Sequence, residues 1–426
     1  MSASLDALGD RFEACFPEGT PAWRTLGREA EFPVVHADGT AADVSALLPI
    51  LRAADPSLVE KREGDMLVAL KNDRVEYTLE VGRGTLEVVV GPAEDLHELQ
   101  ARHDAARGPL LAAAAELGVH VLGYGIQPLT PASPAFMTPK SRYGVLLETI
   151  GRPWLWFTLT ASDQVHVAIG RDELVGATNV GNLLAPVTVA LCANSPVYAG
   201  AACGFVSARE QQMGEICADT FRHGMPGGPD ASARDLVRRL GIQDLLVLRR
   251  GGAIQAGSGT FAQHLTALGG AGSPEAWDDF LLHEHYIWNS ARPRSAIGTL
   301  EMRAACQQPL HESGAAAALG AGIVCAWREL QDFMDEVFGD RAWPAMRAWH
   351  HDVLVHGLAT AEPAPGLLAG VLDRCEAALD ARGRDEGRLL APLRARLTAR
   401  QNPAQAARSA LENGGMSGLV QHAARV

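Results

Sequence analysis

Thr25-Leu26-Gly27-Arg28-Glu29-Ala30-Glu31-Phe32-Pro33-Val34-Val35-His36-Ala37 reads as a β-strand that carries chemistry, ending in an Asp38-Gly39 turn. Alternate side chains of a strand share a face, so Glu29 and Glu31 point the same way. The same two-residue spacing recurs in Gln164-Val165-His166-Val167 and in Thr299-Leu300-Glu301-Met302-Arg303. Glu80 and Glu87 have opposite parity on one flat strand. The Gly82-Arg83-Gly84 turn between them places each on its own hairpin arm, and the objection disappears. Taken singly, each pair is an ordinary wet strand face or a cross-strand pair. If the strands are neighbours, one sheet face gathers Glu29, Glu31, Glu80, Glu87, Glu301, His166 and Arg303. So many carboxylates cannot all stay ionised at close range without protons or cations to compensate. Oxygen ligands with one imidazole suit Mg2+ or Mn2+, and Mg2+ held this way usually also holds substrate phosphates, which points to ATP.

Outward from this strand, the pattern predicts helices over the first twenty residues and 42–54, strands at 65–70, 74–81 and 85–90, and a helix over 93–117 broken near Gly108-Pro109. Further strands are expected at 119–126, within 157–169, at 242–250 and at 296–304. Helices are expected at 143–150, 173–193, 230–240 and 277–288. From Glu312 the chain reads as almost wholly helical (312–338, 341–357, 365–382, 385–399, 402–413), fraying after Asn413. Tight turns between strands predict a mainly antiparallel sheet in an α+β fold. The expected organisation is a catalytic sheet cradle over 1–310 with a helical C-terminal region, 311–426, packed on the same domain. No Gly-rich phosphate loop is present, so Rossmann and P-loop nucleotide sites are excluded.

The 426 residues are 47% hydrophobic and carry a net charge of −13, a globular composition that disfavours nucleic acid as a partner. The Ala/Gly-rich stretch Gly314 to Trp327 falls short of the ~20 apolar residues a membrane span needs, and nothing at the N-terminus resembles an export signal. The seven cysteines are scattered without a CxxC pair, as expected of reduced thiols in a cytoplasmic protein.

Read in order, the segments resemble the glutamate–cysteine ligase superfamily, meaning the plant-type glutamate–cysteine ligases and the related bacterial carboxylate–amine ligases. Gly27 to Phe32 resembles its GxExEF opening. Met137-Thr138-Pro139-Lys140-Ser141-Arg142-Tyr143 resembles its MPKxRY stretch, and Gln164 to Val167 its QVN or HVHV strand. Ala193-Asn194-Ser195-Pro196 with Gly204 to Arg209 resembles ANSP…GFxSxR, and Trp288 to Arg294 with Gly298 to Arg303 resembles RP…GTLExR. The resemblance implies a glutamine-synthetase-like curved sheet, activation of a carboxylate by ATP through an acyl phosphate, and attack by an amine. It implies metal ligands at Glu29, Glu31, Glu80, Glu87, Gln164 or His166, and Glu301. Catalytic arginines are implied at Arg209, Arg292 and Arg303, and nucleotide contacts at Glu29, Lys140, Arg142 and Arg209. The expected substrates are glutamate with cysteine or a related amino acid. A different amine or carboxylate, or phosphotransfer on the same fold, stays open, as does a homodimer. The chain departs from the family pattern over Phe157 to Asp163 and at Asn289-Ser290, where the acceptor would be chosen. Two segments, 127–143 and 206–230, are candidate lids over the reacting group.

Overall fold

Strand β1 (Leu26–Val35) alternates as its sequence demands: Leu26, Arg28, Ala30 and Phe32 are buried on one face, while Glu29 and Glu31 occupy the other. The computed structural model describes residues 2–425. It places β1 inside a nine-stranded sheet. The strands flanking it in sequence are β2 (Val59–Glu63), β3 (Met66–Lys71), β4 (Val75–Leu79), β5 (Thr85–Ala93), β6 (His120–Val121) and β7 (Asp163–Ala168). The hairpin Ala291–Arg294 and Thr299–Met302 forms one edge, followed by β7, β1, β5, β4, β3 and β2, with β6 pairing β1 off this path. Every pairing in this sheet is antiparallel.

The back of the sheet is covered by Leu96–Glu116, packed on β5 and β1, and by the Ala-rich helix Ala315–Cys325, packed on β7. That second helix approaches closely because its side chains are small: a Cβ on Gly320 would lie 2.4 Å from Val165 Cγ1. Between sheet and helices lies a buried ion pair. Arg28 donates from Nε and Nη2 to the two carboxylate oxygens of Asp163 on β7, each at 2.7 Å, and also to the Ser313 carbonyl. The guanidinium thus ties β1, β7 and the start of the covering helix together.

Several expectations change in three dimensions. Helix 96–116 runs through Pro109, because Pro109 and Ala105 lie on the exposed face and the carbonyl left without a donor faces water. The apolar segment expected as one helix over 173–193 is two, Leu174–Leu183 and Ala185–Cys192, bent by 46° just ahead of Pro186. The expected strand 119–126 shrinks to β6, 242–250 shrinks to Val247–Arg250, and the aromatic run Arg152–Thr158 coils into a 3-10 turn ahead of β7. Beyond Asn413 the chain does not fray: Pro403–Ala423 continues across a kink at Gly415, with Leu419 and Val420 buried. Strand β2 and the arm Ala291–Arg294 have no sequence signal of their own and form because neighbours offer paired edges. No single helix among the described residues is long and apolar enough to cross a membrane.

Replacing Asp163 by Ala leaves the Arg28 guanidinium buried and uncompensated. A loss of about 3–5 kcal/mol in unfolding free energy is expected, read from urea denaturation of the purified variant.

Candidate active site

The register of the sheet assembles the charged face. Glu301 stands opposite His166, Glu29 opposite Gln164, and Glu31 opposite Glu87. Glu80 lies just past the end of β4, in the turn that returns the chain into β5, so it reaches the same face from the neighbouring arm. The turn is tight for a reason: a Cβ on Gly82 would lie 1.8 Å from the Thr158 carbonyl oxygen, so only glycine fits there.

Two groups result. Glu29, His166 and Glu301 each bring one ligand atom within 4.8 Å of the others, and Glu31, Glu80 and Glu87 do the same. The groups differ in electrostatics. Burial pushes Glu301 up, but Arg292, Arg303 and Arg294 outweigh it and hold the carboxyl well below its ordinary range. Arg292 Nε donates to Glu301 Oε2 at 2.7 Å, Arg294 Nη1 to the same oxygen at 3.2 Å, and Arg303 to Oε1. Glu29 is likewise held low against burial, chiefly by His166, whose Nε2 lies 3.0 Å from Glu29 Oε1. In the second group, burial and the charge of Glu80 push Glu31 up to about 7. Burial and the three neighbouring glutamates push Glu87 well above its ordinary value, and burial raises Glu80. That group takes up protons unless a cation replaces them. Hard oxygen donors, with one imidazole in the first group, fit a small divalent cation such as Mg2+ or Mn2+.

The remaining predicted residues fall into place unevenly. Gln164 lies on the charged face. Its Nε2 donates to Glu31 Oε1 at 3.1 Å and to Ser162 Oγ at 2.7 Å, while its Oε1 accepts from Arg303, so it braces Glu31 and Arg303. Arg292, expected to act on substrate, is buried and spends its donors on Glu301 and on the carbonyls of His285 and Ile287. It acts as a clamp on Glu301. Lys140, expected at the nucleotide, is buried, and its Nζ donates to the Leu79 carbonyl at 2.5 Å beside Glu80. Burial draws that amine down to about 8. Arg142 lies over the Tyr143 ring and donates to its hydroxyl at 3.1 Å. Arg209 is buried, with Nη1 donating to Glu210 at 3.2 Å and Nη2 to the Arg303 carbonyl at 3.1 Å.

The sequence reading missed Arg294. It shared strand parity with Arg292, and the two-residue rule that linked Glu301 to Arg303 would have found it. Arg294, Arg142, His285, Tyr286 and Glu284 line a cleft of about 870 Å³, within the ~300–1,000 Å³ of small-molecule sites. Arg249 and Arg250 line it as well. Beside it, Tyr143, Trp154, Phe157, Trp288 and Tyr286 form a continuous aromatic wall.

Other motif residues turn out to be joinery. Asn194 Nδ2 donates to the carbonyls of Gly123 and Gln307, and Ser195 Oγ accepts from the Arg209 N–H at 3.1 Å. Asn289 is spent on the carbonyls of Phe221 and Gly224, and Asp163 faces backward onto Arg28. The two candidate lids are both stitched down. Thr138 N–H donates to the Val81 carbonyl and Arg83 N–H to the Phe136 carbonyl, while Arg347 Nη2 holds the Pro226 carbonyl and Ser290 N–H the Gly224 carbonyl.

Residues 25–423 match the family described as Glutamate-cysteine ligase family 2. A putative glutamate–cysteine ligase 2-3 of Rubrobacter xylanophilus is 26% identical over 76% of this chain and 75% of its own length. The chloroplastic glutamate–cysteine ligase of Medicago truncatula is 32% identical over 34% of this chain, and the match spans only 30% of the plant protein. Among solved structures, a bifunctional glutathione synthetase from Pasteurella multocida superposes with a TM-score of 0.57 at 14% identity, covering 98% of this chain and 53% of that one. This likeness concerns the fold, and it agrees with the antiparallel cradle expected from the sequence.

Since protons and cations compete for the Glu31–Glu80–Glu87 group, binding of Mn2+ or Mg2+ is expected to release protons near pH 7 and to weaken as pH falls below it. Calorimetry in two buffers of different ionisation enthalpy measures the release. An apparent affinity unchanged between pH 6 and 8 would contradict this electrostatic picture.

Proposed function

This chain belongs to the glutamate–cysteine ligase family 2, and on that premise we propose that it is an ATP-dependent carboxylate–amine ligase. In this reading it joins the side-chain carboxylate of glutamate to the amine of cysteine or a related amino acid, with Mg2+ or Mn2+. The observation that carries the reading is the pair of three-ligand groups side by side on one sheet face, next to an arginine-lined cleft. The names of the relatives support the choice of substrates.

A carboxylate does not acylate an amine at neutral pH, because its oxygen leaves poorly, and transfer of a phosphoryl group to it removes that obstacle. Such transfer is mainly positioning and charge neutralisation. Glu29, His166 and Glu301 would hold one cation and Glu31, Glu80 and Glu87 a second. These cations would neutralise phosphate charge. Glu301 arrives already ionised because Arg292, Arg294 and Arg303 surround it, so no proton must leave before it can ligate. Arg303 and Arg209 stand at the inner end of the face, joined through the Arg303 carbonyl, where they can meet negative charge on the reacting carboxylate or phosphoryl group. Arg142 and Arg294 line the cleft and suit the polyphosphate. The aromatic wall keeps water from the activated carboxylate.

Incubation with ATP, Mg2+, glutamate and a panel of amines, read by mass spectrometry, tests the assignment. ADP formation is expected to require glutamate, and a γ-glutamyl amide of cysteine or another small amino acid should appear. If ATP is consumed only with some other carboxylate, the glutamate assignment falls. Glu29→Ala and Glu301→Ala should each lower turnover by roughly 10²–10³-fold, with far-UV circular dichroism unchanged for Glu29→Ala. Arg303→Lys keeps the charge but loses the planar fork, and its single-turnover rate of ADP formation should fall.

A further inference from the structure

One buried carboxylate near the site has no part in the chemistry above. Glu210 is 2% exposed and belongs to neither ligand group. An ionised carboxylate so deeply buried needs a partner, and Arg209 supplies it. Arg209 Nη1 lies 3.2 Å from Glu210 Oε2, and His223 Nδ1 lies 3.9 Å from Oε1. His223 sits on the short strand His223–Gly224, which pairs in parallel with Trp288–Asn289, and the next residue, Ser290, accepts the Arg303 N–H through its carbonyl. Glu210 and Arg209 are therefore joined through their side chains, and Arg209 is joined to Arg303 through the Arg303 carbonyl, while His223 Nδ1 is buried without a hydrogen-bond partner.

The effect on Arg209 can be read atom by atom. Nη1 is held by Glu210, Nη2 by the Arg303 carbonyl, and the main-chain N–H by Ser195 Oγ. Only Nε, fully buried, has no acceptor. The guanidinium is thus held from two directions, by a carboxylate and by a carbonyl, with N–H donors to spare. The Arg209 charge is also felt across the site at Glu31, where it works against the larger effects of burial and Glu80. Without Glu210, one of these two holds is lost and the guanidinium is free to turn.

We propose that Glu210 is a positioning residue that fixes the Arg209 guanidinium beside the charged face, so that its positive charge meets the negative charge of the carboxylate substrate during activation. This rests on the ligase reading, in that Arg209 is taken to face the reacting carboxylate.

A double-mutant cycle tests it, using whichever carboxylate the wild-type enzyme turns over, so that failure of glutamate as substrate does not bear on the result. Glu210→Gln should lower kcat/KM for the carboxylate at saturating ATP by roughly tenfold or more, the size expected for a hydrogen bond to a charged group, with KM for ATP unchanged. In an Arg209→Ala background the same change should add less than twofold. Equal losses in both backgrounds, or a parallel rise in KM for ATP, would overturn the proposal. Should the Gln variant not fold, Glu210→Asp carries the same cycle with the same two outcomes, because shortening the side chain withdraws the carboxylate from Arg209.

Discussion

Mutual repulsion among five glutamates on one sheet face is the constraint around which this protein is built. Like charges at such range are tolerated only where something opposes them, and the structure opposes them differently at the two ends. At Glu301, arginines on its own hairpin supply the counter-charge, so the carboxylate is ionised before any ligand arrives. At Glu31, Glu80 and Glu87 no arginine makes a direct bond, and protons or a cation must balance the charge. The face thus has one end whose charge is set by the protein and one end whose charge is set by what binds.

Holding these groups in register falls to residues on the other side of the sheet. Arg28 and Asp163 lie back to back with Glu29 and Gln164, and their ion pair keeps β1 and β7 aligned so that the front-face pairs meet. A shift by a single residue would turn Glu29 and Glu31 into the core, where Ala30 and Phe32 now pack. The small side chains of Ala315–Cys325 allow a helix to press against β7 from behind, so the sheet that bears the charge is braced over its centre. Rigid support of this kind is what electrostatic preorganisation requires.

Much of the charged face was legible from period-two spacing alone. Glu29 with Glu31, Gln164 with His166, and Glu301 with Arg303 lie on neighbouring strands, and the glycine turn does bring Glu80 beside Glu87. The element boundaries were less legible. Arg152–Thr158 has strand-forming composition but coils, because Gly82 and the aromatic cluster receive it in that form. Pro109 does not break its helix because its position relative to solvent, which no local pattern encodes, makes the lost hydrogen bond cheap. The Pro-rich loop that looked free to move is held by carbonyl and N–H groups of residues far away in the chain.

What chain order alone determined was which side chains can share a face, since alternation along a strand is a property of the backbone. It also determined the family resemblance, carried by short runs of adjacent residues. What the tertiary structure decided was the division of labour among equals. Nothing local distinguishes Arg292, turned into a clamp, from Arg294, which reaches the cleft, or foretells that the amide of Gln164 meets Arg303. Those roles depend on which donors and acceptors packing brings alongside, and partners such as Arg303 with Gln164, 139 residues apart, and Arg209 with the Arg303 carbonyl, 94 apart, are chosen by packing, not by sequence neighbours.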